Sequence, residues 1–168
     1  LPLTVFNIRE EHEAAVLEMG ISDFGEMHRL SKIARPNICV MTNIGLCHLE
    51  FLGDRDGVLR AKSEIFDFAA EGAKAIVNGD DDKLRTLKSR EDLDVTLFGM
   101  NPSNDVYAKQ VENLGLDGLK CVISTPVGEF SAHIHIPGMH MVYNALAGTC
   151  VGLALGLTLD EIKAGIEN

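Results

Sequence analysis

Hydrophobic and polar positions along the chain switch between two periods. Residues 14–19 form a short apolar run that stops at Gly20 and reads as a buried strand. Residues 26–34 place Met27, Leu30, Ile33 and Ala34 at helical spacing, closed by Arg35-Pro36. Residues 37–42 read as the next strand. Residues 58–70 return to helical spacing through Val58, Ala61, Ile65, Phe68 and Ala69. A third strand over residues 73–78 stops at Gly79-Asp80-Asp81-Asp82, and a short polar helix near 82–89 leads to a strand at 95–98. Strands that alternate with helices, and are apolar throughout, predict a parallel sheet covered on both faces.

The pattern changes over residues 105–137. Strands at 106–111, 119–124 and 130–136 are divided by turns at 115–118 and 126–128, which predicts an antiparallel hairpin layer. Helical character resumes over 140–155. Thr158 then opens a last helix through Ile166, with Glu161 as its capping-box partner. The expected fold is therefore α/β, a mostly parallel sheet flanked by helices with an added antiparallel layer, in a single domain over residues 1–168.

Composition narrows the functions open to such a fold. A chain of 168 residues can bury a real core. Its net charge of −10 repels phosphate backbones and anionic lipid, so neither nucleic acid nor a membrane surface is an expected partner. The apolar stretch 145–159 is broken by Thr149 and Thr158 and is shorter than the ~20 residues a bilayer requires. Gly148, Gly152 and Gly156 share one helical face there, which points to close packing of the helix against the sheet. Arg9, Glu10, Glu11 and Glu13 interrupt any leader-like run. Four cysteines (Cys39, Cys47, Cys121, Cys150) show neither a CxxC pair nor zinc spacing, and Cys39 and Cys150 sit in apolar segments. A reduced, cytoplasmic protein is expected.

Ligands of parallel sheets collect beyond the carboxyl ends of the strands, which puts Glu18, Asn43, His48, Asn78 and Asp80 on one expected edge. Glu18 suits a hard cation such as Mg²⁺, or is a solvated strand end. His48 follows Thr42-Asn43-Ile44-Gly45 and reads as a loop residue or helix cap more readily than as a ligand. Lys62, taken alone, is a solvated helical charge. His133 and His135 share a strand face without a third ligand nearby. Asp80-Asp81-Asp82 lacks the glycine and distant glutamate of an EF-hand and fits a helix N-terminus better. No Gly-Lys dipeptide occurs, so these residues hold no Walker A loop.

In order along the chain, several pieces resemble the central domain of the Mur ligase family, and most of all its D-alanyl-D-alanine-adding branch. They are Leu1-Pro2-Leu3-Thr4, Leu17-Glu18-Met19-Gly20, Gly25-Glu26-Met27, Arg35-Pro36, Thr42-Asn43-Ile44-Gly45 and His48-Leu49-Glu50. Ala61-Lys62-Ser63-Glu64-Ile65 follows, then Pro137-Gly138 through Asn144-Ala145-Leu146-Ala147. The resemblance implies an ATP-dependent ligase in which the carboxylate of a UDP-linked muramyl peptide is phosphorylated and then attacked by an amine, here D-alanyl-D-alanine. It implies Glu18 and His48 as Mg²⁺ ligands, with Lys62 as a lysine that CO₂ can carbamylate to support a second metal. Lys62 and His48 would thus serve catalysis. Asn43 would border the triphosphate and Asn144 the adenine, with His140 on the same nucleotide-contacting helix. Met141 departs from the family's His-Asn pair.

By the same resemblance the chain would start beyond the phosphate loop. A fragment of a three-domain enzyme is therefore expected, inactive alone and prone to self-association through an exposed sheet edge. Two other readings remain: a folylpolyglutamate- or cyanophycin-type ligase of the same superfamily, and a binding module that keeps the fold without the chemistry.

Overall fold

In the computed structural model, which describes residues 1–168, six strands lie in sequence order across one mixed sheet. They are β1 (Ile38–Met41), β2 (Lys74–Asn78), β3 (Asp94–Gly99), β4 (Val106–Asn113), β5 (Leu119–Thr125) and β6 (Gly128–Ile134). The helices are α1 (Pro2–Val5), α2 (Glu26–Ala34), α3 (Leu49–Leu52), α4 (Arg55–Ser63), α5 (Met139–Ala154) and α6 (Leu159–Glu167). The chain divides into two compact units, residues 1–39 with 44–73 and residues 40–43 with 74–168.

In the second unit, β2 pairs with β3 in parallel from Lys74↔Asp94 to Asn78↔Phe98. β3 and β4 are also parallel, but only through Phe98↔Val106 and Gly99↔Tyr107. Because β4 starts where β3 ends, a short loop suffices where a parallel connection ordinarily needs a long crossover. β4, β5 and β6 then run antiparallel, as the change of pattern after residue 105 predicts. Phe98, Ile76, Val77, Val106, Leu119 and Ile123 fill the core together with Val142 and Leu146 of α5. The predicted capping box is present: Thr158 Oγ1 accepts from the Glu161 N–H, and the Glu161 carboxylate accepts from the Thr158 N–H.

The glycine face of α5 packs differently from expectation. Only Gly152 is in close approach, and to α6 rather than to the sheet: a Cβ there would lie 2.6 Å from Ile162 Cγ1. Gly148 has open space beside it, and Gly156 lies beyond the helix end with φ +79°. No helix is long and apolar enough to cross a membrane.

In the first unit, α2 forms over the predicted residues. Two other expectations need correction. Residues 14–20 are irregular rather than a strand, and Val16 is 99% exposed. A strand exists by exchanging backbone hydrogen bonds with a neighbour, and residues 14–20 pair with no strand of the sheet, whose order begins at β1. Glu18 therefore stands in an extended loop, not at a strand tip. The predicted helix over 58–70 splits into α4 and a tight 3₁₀ turn, Glu64–Phe68. Buried Ser31 causes this: its Oγ donates to the Ile65 carbonyl (2.7 Å) and accepts from the Phe68 N–H (3.2 Å). The Ile65 carbonyl is thereby claimed by another helix, while the Ala69 N–H bonds Phe66 in 3₁₀ fashion.

Candidate nucleotide- and metal-binding residues

The first unit carries Glu18, His48 and Lys62. Glu18 is exposed. His48 opens α3 in a left-handed conformation (φ 57°), and its exposed ring makes no capping bond to that helix. The loop ahead of it is fixed from α4, where Arg55 Nε donates to the Ile44 carbonyl (2.9 Å). Lys62 is half-buried in the last turn of α4. Two residues on, both carboxylate oxygens of Glu64 accept from the Gly25 N–H (2.9 Å each), and one accepts from the His28 N–H (3.1 Å). That carboxylate satisfies free amides at the start of α2 and locks the end of α4 to it.

Glu26 was visible in the sequence as the start of a helix and as part of a matched motif, and it is placed near enough to His48 to feel its charge. Its carboxylate accepts from the Ser22 N–H (2.6 Å) and more weakly from Asp23 (3.4 Å). The Ser22 bond is the main reason its carboxyl is held below the usual range, with Arg29 and His48 adding smaller attractions. No three His, Cys, Asp or Glu side chains gather into a ready-made metal cage. His133 and His135 lie 4.1 Å apart between ring centroids with their planes tilted by 49°, and His133 Nε2 bonds the Asp117 carbonyl (2.8 Å).

The second unit carries Asn43, His140 and Asn144, all exposed. The segment ahead of Asn43 is held by Asn78, whose Nδ2 donates to the Thr42 carbonyl (3.0 Å). His140 and Asn144 are four apart on α5 and so share a face. Where the sequence departs from the His-Asn pattern, the Met141 thioether accepts from Asn144 Nδ2 (3.5 Å). This leaves the Asn144 carbonyl oxygen free of that bond.

The acidic run after β2 proves to be two devices. Asp81 accepts from the Lys83 and Leu84 N–H groups (2.9 and 3.0 Å) at the start of a 3₁₀ turn, Leu84–Ser89, as the helix-terminus reading expects. Asp80 instead points to the loop after β3 and to α5, a role no local sequence signal announces.

The mixed sheet with its flanking helices defines an α/β domain. Residues 1–152 match the Mur ligase middle domain, and the chain belongs to that family. Among its relatives, UDP-N-acetylmuramoyl-tripeptide–D-alanyl-D-alanine ligase of Escherichia coli is 32% identical over 100% of this chain and 37% of its own length. The ligase of the same name from Bacillus subtilis is 36% identical over 99% of the chain and 35% of its own length. A crystal structure of MurF from Acinetobacter baumannii superposes with a TM-score of 0.91 at 34% identity, covering 99% of this chain and 36% of that one. MurF of Thermotoga maritima, solved in complex with ADP, gives a TM-score of 0.74 at 26% identity over 88% of this chain and 34% of that one. The chain thus spans little more than a third of the relatives it matches.

Proposed function

We propose that this chain is the nucleotide-binding part of an ATP-dependent carboxylate–amine ligase that adds D-alanyl-D-alanine to a UDP-N-acetylmuramoyl-tripeptide. The observation that carries the proposal is similarity along essentially the whole chain to ligases of that name, with Glu18, Asn43, His48, Lys62, His140 and Asn144 all present.

The residues suit the chemistry. The acceptor carboxylate must attack the γ-phosphoryl group of ATP, two anions that repel each other, before the dipeptide amine displaces phosphate from the acyl phosphate. Mg²⁺, when bound, lowers that repulsion and orients the transfer. Glu18 supplies an exposed carboxylate, and His48 a ring nitrogen not used in capping α3. By the family resemblance both would serve one Mg²⁺ ion, Glu18 as the hard oxygen donor that such a cation prefers. Lys62, once neutral, can add CO₂ and become a carboxylate, which turns a cationic position into a metal-supporting one. Asn43 borders the triphosphate, and His140 and Asn144 face the base. The same reading places the work in the cytoplasm, and it expects the 168-residue chain alone not to turn over.

The test is Lys62→Ala in the full-length ligase, assayed for amide formation from tripeptide acceptor, D-alanyl-D-alanine and ATP. Loss of ligation with rescue by added short-chain carboxylic acids supports the carbamate role. Wild-type activity in the variant refutes it, and ligation of a different amine by the unaltered enzyme refutes the substrate assignment.

A further inference from the structure

Just past β2, the Asp80 carboxylate collects four donors. Oδ1 accepts from Asn104 Nδ2 (2.9 Å) and the Asn101 N–H (3.3 Å); Oδ2 accepts from the Met100 N–H (2.5 Å) and the Tyr143 hydroxyl (3.0 Å). The surrounding backbone is kept bare for this node. A Cβ on Gly99 would lie 2.6 Å from Asp80 Cγ, and one on Gly79 would collide with the Asn104 amide oxygen. Arg85 braces the same place, donating to the Gly79 carbonyl (2.6 Å) and to Ser103 Oγ (2.8 Å). Partial burial pushes the Asp80 carboxyl upward. The bonds from Met100, Asn104, Tyr143 and Asn101 outweigh that effect and hold it below the usual carboxylate range. The acceptor is thus an anion at neutral pH, and its bonds are of the charge-assisted kind.

Three of the four donors belong to the loop after β3. The fourth comes from α5, a helix whose N-terminus has no side-chain cap. Its N-cap is Gly138 (φ 112°), which has no side chain to satisfy the first amides, and its first turn contains no acidic residue. Tyr143 follows His140 by three residues and precedes Asn144 by one. Its hydroxyl therefore ties down the stretch of helix that presents both.

We propose that Asp80 is a positioning residue for base recognition. Its bond to Tyr143 fixes the opening turns of α5, and with them His140 and Asn144, so that the preference for adenine depends on it. The proposal rests on the nucleotide role of α5 proposed above.

Nuclear magnetic resonance titrations of the full-length ligase with ADP and with GDP test it, because α5 backbone and Asn144 side-chain amide shifts report even weak binding. Tyr143→Phe removes one oxygen and keeps the ring. It is expected to weaken ADP binding about tenfold, as loss of a charge-assisted bond does, with a smaller loss for GDP. Amide exchange at residues 143–147 should quicken while the sheet is unaffected. Asp80→Asn, which surrenders an acceptor oxygen, should act in the same direction. Unchanged ADP binding in Tyr143→Phe, or equal losses for ADP and GDP, overturns the proposal. If ADP leaves the wild-type Asn144 signals unmoved, the nucleotide reading of α5 has itself failed and takes this proposal with it.

Discussion

Ser31 and Ile65 are joined by a hydrogen bond that decides where a helix ends. The Ser31 hydroxyl, fully buried on α2, donates to the Ile65 carbonyl and also accepts from the Phe68 N–H. Ser31→Ala strands both backbone groups away from water and should cost about 1–3 kcal/mol. Urea denaturation measures the loss, and accelerated amide exchange should be confined to residues 64–69 and α2.

The contact of Gly152 with Ile162 makes a second expectation. Gly152→Val drives a branched side chain into Ile162 and should destabilise by about 1–3 kcal/mol. Ile162→Ala in the same chain should return part of that loss, since it removes the obstructing carbons. Additive losses in the double variant would show that the two helices do not meet as described.

The capping box at α6 is testable by Thr158→Ala. Loss of the side-chain cap should cost about 1 kcal/mol, read as a lower thermal midpoint. Lys163 and Glu167, one turn apart at the other end of α6, should keep their 2.6 Å ion pair.

Thiol chemistry should separate the cysteines sharply. Cys47 is exposed, whereas Cys39, Cys121 and Cys150 are buried. Burial pushes the Cys39 thiol up to about 11 and the Cys150 thiol up to about 12, so neither forms thiolate near neutrality. A disulfide reagent at pH 8 should therefore label one thiol per native chain quickly, and four only in denaturant. Fast labelling of two or more would contradict the burial.

Acid should weaken the fold by releasing carboxylates held below their ordinary range. Asp80 is one; Glu161, bonded by Thr158, and Glu167, bonded by Lys163 and the His133 N–H, are others. Each folded-state value lies below the unfolded one, so the stabilisation is complete above about pH 5 and is lost as pH falls through the folded values. Denaturation midpoints measured between pH 6 and 3 should fall toward the acid end. In Asp80→Asn the fall should be shallower, because one of the titrating groups is gone.

The sheet and its change of direction were legible because buried strands print continuous apolar runs and ribbons print turn residues between them. α2, α5 and α6 were legible from spacing and caps. What the sequence could not reveal were partnerships between distant residues. Residues 14–19 have the composition of a strand, but composition cannot say whether a neighbouring ladder exists. The 3₁₀ turn after α4 depends on a serine more than thirty positions earlier. Asp80 and Asp81 are adjacent and chemically alike, yet one serves the next turn and the other a helix sixty-three residues away. Glu18, Asn43 and His48 came to notice at the expected strand ends, whereas Lys62, His140 and Asn144 gained a role only through motif resemblance, since a helical lysine carries no signal of purpose by itself.

The irregularity in β4 has a further consequence. Its register with β5 slips between Lys109 and Glu112, and Gln110 adopts a positive φ of 53°. The strand is thereby hinged into a base that pairs with β3 and an outer arm that ends at the bend around Leu116, itself 92% exposed. Extra residues grafted at Leu116 would be carried outward by that arm. The tip is thus the place where this domain can grow, or accept a reporter, while the base of the arm keeps its pairing with β3.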